Sequence, residues 1–370
     1  MLVAYNYKMH IPLVIIGGGV IGLSIAQEIQ RKYPKLEIAL FEKELYLGEH
    51  STHRNSGVLH AGLYYEKNSL KHLLCIKGND LWHSENGPFV NNCGKYLVAT
   101  NQEEIIELER LYDRAKDNGV KEISWCENED LKPLQQFLNV RKAFFSKKTS
   151  ILNIPLYLKD LEIKLQSESF YLLKNQKIKK ITYKNNIFHL ETDLESVTCD
   201  HLVNAAGLGA IEIRKMLGLS DLENHYVKGN YLKLKKKYYN KSLIYPVPLP
   251  GLKGLGVHTS FGEDGLIRFG PNTEDVQGVD YSQRENLIDQ MYPEISKIFK
   301  SISKGDLERD FCGIRPKIKL RGKIYNDFWI KSGEDYGLKN YFELCGIESP
   351  GLTSAPAIAK YLTELIEFHF

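Results

Sequence analysis

No stretch of this 370-residue chain approaches the roughly 20 consecutive apolar residues needed to span a bilayer. No CxxC pair occurs either. The six cysteines, Cys75, Cys93, Cys126, Cys199, Cys312 and Cys345, are scattered. That spacing argues against a zinc ribbon or dithiol redox motif and reads as buried thiols in a reducing compartment, with no metal centre. Charge of one sign is also scarce. The formal net charge is only +3, so nucleic acid is not implied as a partner. A secretory signal is not expected, because the apolar run Ile11–Ile16 is short and flows straight into glycines. Met9 is a candidate start. A cytoplasmic chain with core enough for two domains is expected.

What is present alternates. Pro12–Ile16 suits a buried parallel strand, Leu23 to about Lys32 has helical spacing, and Leu36–Phe41 is a second apolar strand ending at Glu42. Lys43 to Lys67 is long, aperiodic and rich in small and polar residues, the composition of a functional loop. Helices are expected at Leu70–Asn86, Gln102–Asn118, Ile154–Leu165, Leu208–Leu217 and Pro356–Phe368. Strands are expected at Gly94–Thr100, Lys177–Tyr183, Ile187–Glu191, His201–Asn204, Tyr226–Lys235 and within Gly254–Gly270, with two more after Phe311. The pattern predicts an α/β protein in which a Rossmann-like domain is interleaved with an α+β antiparallel-sheet substrate domain. The first is expected to take residues 1–85, 151–222 and 311–370, the second 86–150 and 223–310.

Gly17, Gly19 and Gly22 form GxGxxG between a strand and a helix. The first permits a tight turn, the second lets backbone approach a pyrophosphate, and the third allows close helix–strand packing. Glu42, followed by Lys43, lies 20 residues past Gly22, where a carboxylate can hold ribose hydroxyls. Together these predict a dinucleotide site. A flavoprotein fed by NAD(P)H usually carries a second nucleotide fold, and a disulfide reductase needs CxxC; neither motif is present. A plain NAD dehydrogenase has no need of the loop after Glu42.

That loop contains Glu49-His50-Ser51-Thr52-His53-Arg54-Asn55-Ser56-Gly57-Val58-Leu59-His60-Ala61-Gly62-Leu63-Tyr64-Tyr65. It resembles the flavin-contacting loop of the D-amino-acid-oxidase-like (glycine-oxidase-like) flavoproteins, and more closely that of the L-2-hydroxyglutarate dehydrogenases and oxidases. The likeness continues at Ser69-Leu70-Lys71, Asn92–Lys95, Leu97–Thr100, Tyr245–Pro248, Gly256–His258 and Phe269–Asn272, then at Gly313–Lys317 and Gly346–Thr353. It spans nearly the whole chain. One departure is Arg54, where the hydroxyglutarate enzymes usually have His; it argues for non-covalent cofactor.

The resemblance implies FAD and oxidation of a small 2-hydroxy acid, foremost L-2-hydroxyglutarate, by hydride transfer to flavin N5. An amine oxidase acting on a small amino acid, or a non-catalytic flavin-binding protein, stand as alternatives. His60 is the first choice for the base and His258 its rival, since imidazole titrates near neutrality; His50 and His53 read as structural. Arg315, in a segment similar to the carboxylate-clamping G-[ILF]-R-P of glycine-oxidase-like enzymes, offers a bidentate fork. A dicarboxylate needs a second cation, for which Arg54, Lys228 and Arg268 are candidates. Tyr64, Tyr65 and Tyr231 are expected around the pocket. Asn55, Ser56, Ala206, Gly207, Gly313, Ser349, Gly351, Leu352 and Thr353 complete the expected cofactor contacts, the last group placing a helix N-terminus by the flavin's pyrimidine side.

Basic runs at Lys177–Lys184, Lys233–Lys241 and Lys317–Lys323 read as solvated faces. With an amphipathic final helix they would also suit peripheral attachment to the inner face of an anionic membrane. The expected partners are a small carboxylate substrate and, as electron acceptor, oxygen or a membrane quinone.

Overall fold

A computed structural model describes residues 9–85, 87–238, 241–248, 256–262 and 264–368. Leu13, Val14 and Ile15 are fully buried, and their strand, Met9–Ile16, runs through the middle of an eight-stranded sheet. Ile38–Phe41 and Ser196–Asn204 flank it in parallel, and Phe170–Leu173 extends the sheet beyond Ile38–Phe41. Strands apolar on both faces are what a parallel sheet covered on both sides requires. Helices Val20–Lys32, Leu70–Glu85, Ile154–Lys164 and Gly351–Leu365 contribute to the apolar cluster on one side of it. Ser196–Asn204 also pairs in parallel with Tyr341–Cys345, so the C-terminal segment closes the same sheet.

A second, six-stranded sheet is built on two long antiparallel strands, Leu222–Leu234 and Leu307–Leu320, with a bulge between Asn230 and Leu232. His258–Phe261 and Ile267–Gly270 extend one side of it, and Lys323–Tyr325 the other. A four-stranded sheet orders Leu243–Pro246, Lys95–Ala99, Lys142–Ser146 and Ile123–Trp125. Val98, Leu134, Leu232, Met291 and Phe299 belong to the shared core of these two sheets.

The α/β class is as expected, with several corrections. The helices Asn128–Gln135 and Leu287–Ile298 were not anticipated; each contains a proline that disguised its spacing. The final helix begins at Gly351 rather than Pro356, so Pro356 sits within it. The expected boundary at residue 311 falls inside Leu307–Leu320, a strand of the six-stranded sheet. Residues 1–8, Asn86, and residues 254–255 and 263 of the expected strand region lie outside the described residues.

Candidate active site

Gly17 has φ +115°, and a Cβ there would lie 2.4 Å from the Ala205 carbonyl oxygen; a Cβ on Gly22 would lie 2.0 Å from the oxygen of Gly17. Only glycine fits such crossings. The following helix, Val20–Lys32, has no acid in its first turn, so its positive end is available to an anion. Thr52 Oγ1 accepts from the Val20 N–H at 3.1 Å, which ties the loop to that helix end. Glu42 accepts from the backbone N–H of Gly18 at 2.7 Å and of Glu44 at 2.9 Å, fixing its carboxylate at the strand tip.

From here opens a cavity of about 680 Å³. Its wall includes Gly17, Gly19, Glu42, Lys43, Arg54, Asn55 and Ser56, with Ala206, Gly207, Gly313, Ser349, Gly351 and Leu352. Gly22 and Thr353 are not on that wall. Gly22 is a packing glycine, and Thr353 is fully buried behind the wall, its Oγ1 accepting from the His60 N–H at 2.9 Å. Asn55 spends its side-chain amide on the loop, donating to the oxygens of Ser51 and Thr52 and accepting from the Gly57 N–H. A Cβ on Gly313 would lie 1.8 Å from the Arg54 oxygen. The loop therefore rests directly on the strand that carries Arg315.

His60, His258, Arg315, Tyr64, Tyr65 and Tyr231 meet on the same cavity. Burial, with the charges of Lys95 and His258, holds His60 well below the usual histidine range, and its Nδ1 is buried without a hydrogen-bond partner. His258 donates from Nδ1 to the Gly256 carbonyl at 2.8 Å, which leaves Nε2 as the lone-pair nitrogen. Its ring stacks on Tyr245 at 3.9 Å. Burial, opposed by the Gly256 bond and reinforced by Lys95 and Arg315, lowers it to about 3. Among the described residues Arg315 hydrogen-bonds to carbonyls alone, Lys228 O at 3.5 Å and Asn272 O at 3.3 Å. No carboxylate among the described residues pairs with it.

Two expected cations lie elsewhere. Lys228 is bound to Ser282 O at 2.8 Å and Asp280 at 3.2 Å, and Arg268 to Asp264 and Asp310 at 2.7 Å each; neither lines the cavity. Arg54 does, with its guanidinium 4.0 Å from the centre of the Tyr281 ring and Nε donating to Glu49 O. His50 also lines the cavity and is engaged by Glu44 and Tyr281.

Other cations went unassigned in the sequence. Lys71 and Lys317 both reach Glu348, at 2.8 and 2.7 Å, and all three line the cavity. Lys95 is fully buried beside Tyr64. The first two sit in segments that carry the family resemblance, as does Lys95, but only the fold shows what they touch.

The glycine crossing, the open helix end, the fixed Glu42 and the unpartnered Nδ1 of His60 all fit a dinucleotide that carries a flavin. Fold and site define a flavin-dependent oxidoreductase. The chain matches the FAD dependent oxidoreductase (DAO) family over residues 12–365 and belongs to that family; it is an enzyme, and its cofactor is FAD. It is 30% identical to the mitochondrial L-2-hydroxyglutarate dehydrogenase of Arabidopsis thaliana, over 96% of this chain and 83% of that protein. It is 33% identical to L-2-hydroxyglutarate dehydrogenase of Indibacter alkaliphilus, over 71% and 68%. Among solved structures, FAD-bound L-alpha-glycerophosphate oxidase of Mycoplasma pneumoniae superposes with a TM-score of 0.86 at 25% identity, covering 98% of this chain and 96% of that one. Among the described residues no helix is long and apolar enough to cross a membrane.

Proposed function

We propose that the protein oxidises L-2-hydroxyglutarate to 2-oxoglutarate. The observation that carries this reading is Arg315, a cation with no carboxylate partner among the described residues, on the wall of a cavity shared with two neutral histidines. Full-length likeness to L-2-hydroxyglutarate dehydrogenases supports the choice of acid. Bound FAD supplies the hydride acceptor, at flavin N5. Gly17, Gly19, Glu42, Ala206, Gly207 and the Gly351 helix end would hold it. Arg315 clamps the carboxylate next to the reacting carbon through its planar fork. His258, with Nδ1 committed to Gly256, takes the hydroxyl proton at Nε2. His60, first choice on sequence grounds, is better read as the cofactor-facing histidine, since its buried Nδ1 lacks a protein partner.

The domain division follows the sheets: the substrate domain takes its last strands through Tyr325 before the chain returns to the nucleotide-binding sheet. Electrons pass on to oxygen or a quinone, in the cytoplasm. Attachment to a membrane would have to use the basic runs alone. The apolar side of Gly351–Leu365 is consumed in the core, and Lys177, Lys179, Lys180, Lys233 and Lys236 are paired with acids.

An anaerobic panel tests the assignment. L-2-Hydroxyglutarate is expected to bleach the flavin's visible absorption far faster than its D-enantiomer, lactate, glycine, glycerol 3-phosphate or NADH. Faster bleaching by glycine or glycerol 3-phosphate would replace the substrate; rapid bleaching by NADH would remove the acid as hydride donor.

A further inference from the structure

Lys95 opens the strand Lys95–Ala99, between Leu243–Pro246 and Lys142–Ser146, and none of its surface is exposed. Its Nζ lies 3.4 Å from the Tyr64 hydroxyl, 4.9 Å from the centre of the Tyr64 ring and 4.6 Å from that of Tyr245. Among the described residues no carboxylate pairs with it. The titratable groups that face it are His60 and Tyr64 from the loop, Tyr245 and His258 from two strands, Cys75 from the helix Leu70–Glu85, and Cys93 just before its own strand. All are neutral or cationic at neutral pH.

Burying an ammonium group without a counter-ion is costly. Such a group persists where an anion arrives from outside. Tyr64 lines the cavity and its hydroxyl is 3.4 Å from Nζ, so this one side chain links the buried amine to the wall. Of the cations on the wall besides Arg315, Lys43 and Lys177 pair with Glu44 and Glu212, Lys71 and Lys317 share Glu348, and Arg54 is held over Tyr281 at the loop's edge with Nε on Glu49 O.

Resting on the dicarboxylate reading above, we propose that Lys95, acting through the Tyr64 hydroxyl, supplies the second positive charge a dicarboxylate meets beside Arg315, and that the amine takes up a proton as the ligand binds. Burial supports this by bringing the free amine to about 7, within reach of the charge of an entering anion. Lys95 is then a specificity residue that a monocarboxylate does not engage.

The test is calorimetric and independent of turnover. 2-Oxoglutarate and 2-oxopentanoate, matched in chain length, are titrated into holoenzyme near pH 7.5 in buffers of different ionisation heat. Wild type should take up about half a proton or more with 2-oxoglutarate, the amount expected if the amine rises by one unit or more, and little with 2-oxopentanoate. It should prefer the dicarboxylate at least about tenfold. Lys95→Met should lose both the uptake and most of the preference while retaining FAD. Tyr64→Phe, which keeps the amine, should weaken 2-oxoglutarate binding several-fold. Unchanged proton uptake in Lys95→Met, absence of uptake in wild type, or wild-type binding in Tyr64→Phe would overturn the assignment. Flavin bleaching by L-2-hydroxyglutarate tests the substrate itself, so loss of that bleaching with the proton count intact sinks the substrate reading and not the role of Lys95.

Discussion

Arg315 carries its charge on the cavity wall with two carbonyl oxygens, at 3.3 and 3.5 Å, as its only hydrogen-bond partners among the described residues. Those contacts orient the guanidinium without neutralising it, and its fork stays free for a carboxylate. Arg315→Lys keeps charge but loses the bidentate geometry. Since one charged hydrogen bond is worth roughly 1.5–3 kcal/mol, kcat/KM should fall at least about tenfold with FAD content normal; unchanged steady-state kinetics would put the carboxylate elsewhere. The histidines separate in the same assay. His258→Asn should lower kcat by about 10²–10⁴-fold while retaining FAD, whereas His60→Asn should first shed FAD. The sign of the pH dependence follows from burial. The working form of His258 is unprotonated and its value is lowered to about 3, so kcat/KM should show no acid limb near 6.5. A limb at the ordinary histidine value would mean a solvated base. Arg315 was legible from its local Gly-Ile-Arg-Pro setting. The engagement of Lys228 was not, because its partner Asp280 lies 52 residues away; Arg268 is held by Asp310, 42 residues away, as well as by its near neighbour Asp264.

The N-termini of Val20–Lys32 and Gly351–Leu365 both contribute to the cavity, and neither has an acidic residue in its first turn. Anions gain from both ends, each by roughly 0.3–1 kcal/mol where exposed and more where buried. The first helix was readable because strand, glycines and helix follow one another in sequence. The start of the last was misplaced by five residues, since Pro356 looks like a first-turn proline. In fact its neighbours Ala355, Ala357 and Ile358 are buried firmly enough to carry the helix through it. The short strands Ile123–Trp125 and Lys142–Ser146 left little trace, because three to five residues give too few alternations to read. At Gly17 the element and the residue make the same demand. Gly17→Ala forces a side chain into left-handed backbone and to within 2.4 Å of Ala205 O. A strain of roughly 1–3 kcal/mol before the clash is counted should lower FAD affinity at least about tenfold. Fluorescence titration of apoprotein with FAD measures it; wild-type affinity would mean the strand–helix turn can relax.

The cavity wall draws on residues from Ile16 to Leu352, from both large sheets and from the loop between them. What joins those parts is partly protein, such as Ser51 Oγ donating to Ile314 O at 3.1 Å and the close approach of Gly313 to Arg54. A bound cofactor would add to these, since the cavity wall is drawn from elements of both sheets. FAD should therefore act as a structural ligand of the whole molecule. A ligand that binds only the native state adds about 2.7 kcal/mol at a hundredfold excess over Kd, and for a chain of this size that is roughly 3 °C in Tm. The apoprotein should melt lower, and its Tm should climb with added FAD and not with added NAD. The same experiment begins from cofactor removal, which tests the link at Arg54. Its guanidinium lies over Tyr281 with no nucleophilic nitrogen to offer a flavin. Acid precipitation should leave the yellow colour in the supernatant. Colour retained in the pellet would show a covalent bond, and a Tm indifferent to FAD would show that the two sheets hold their arrangement through protein contacts alone.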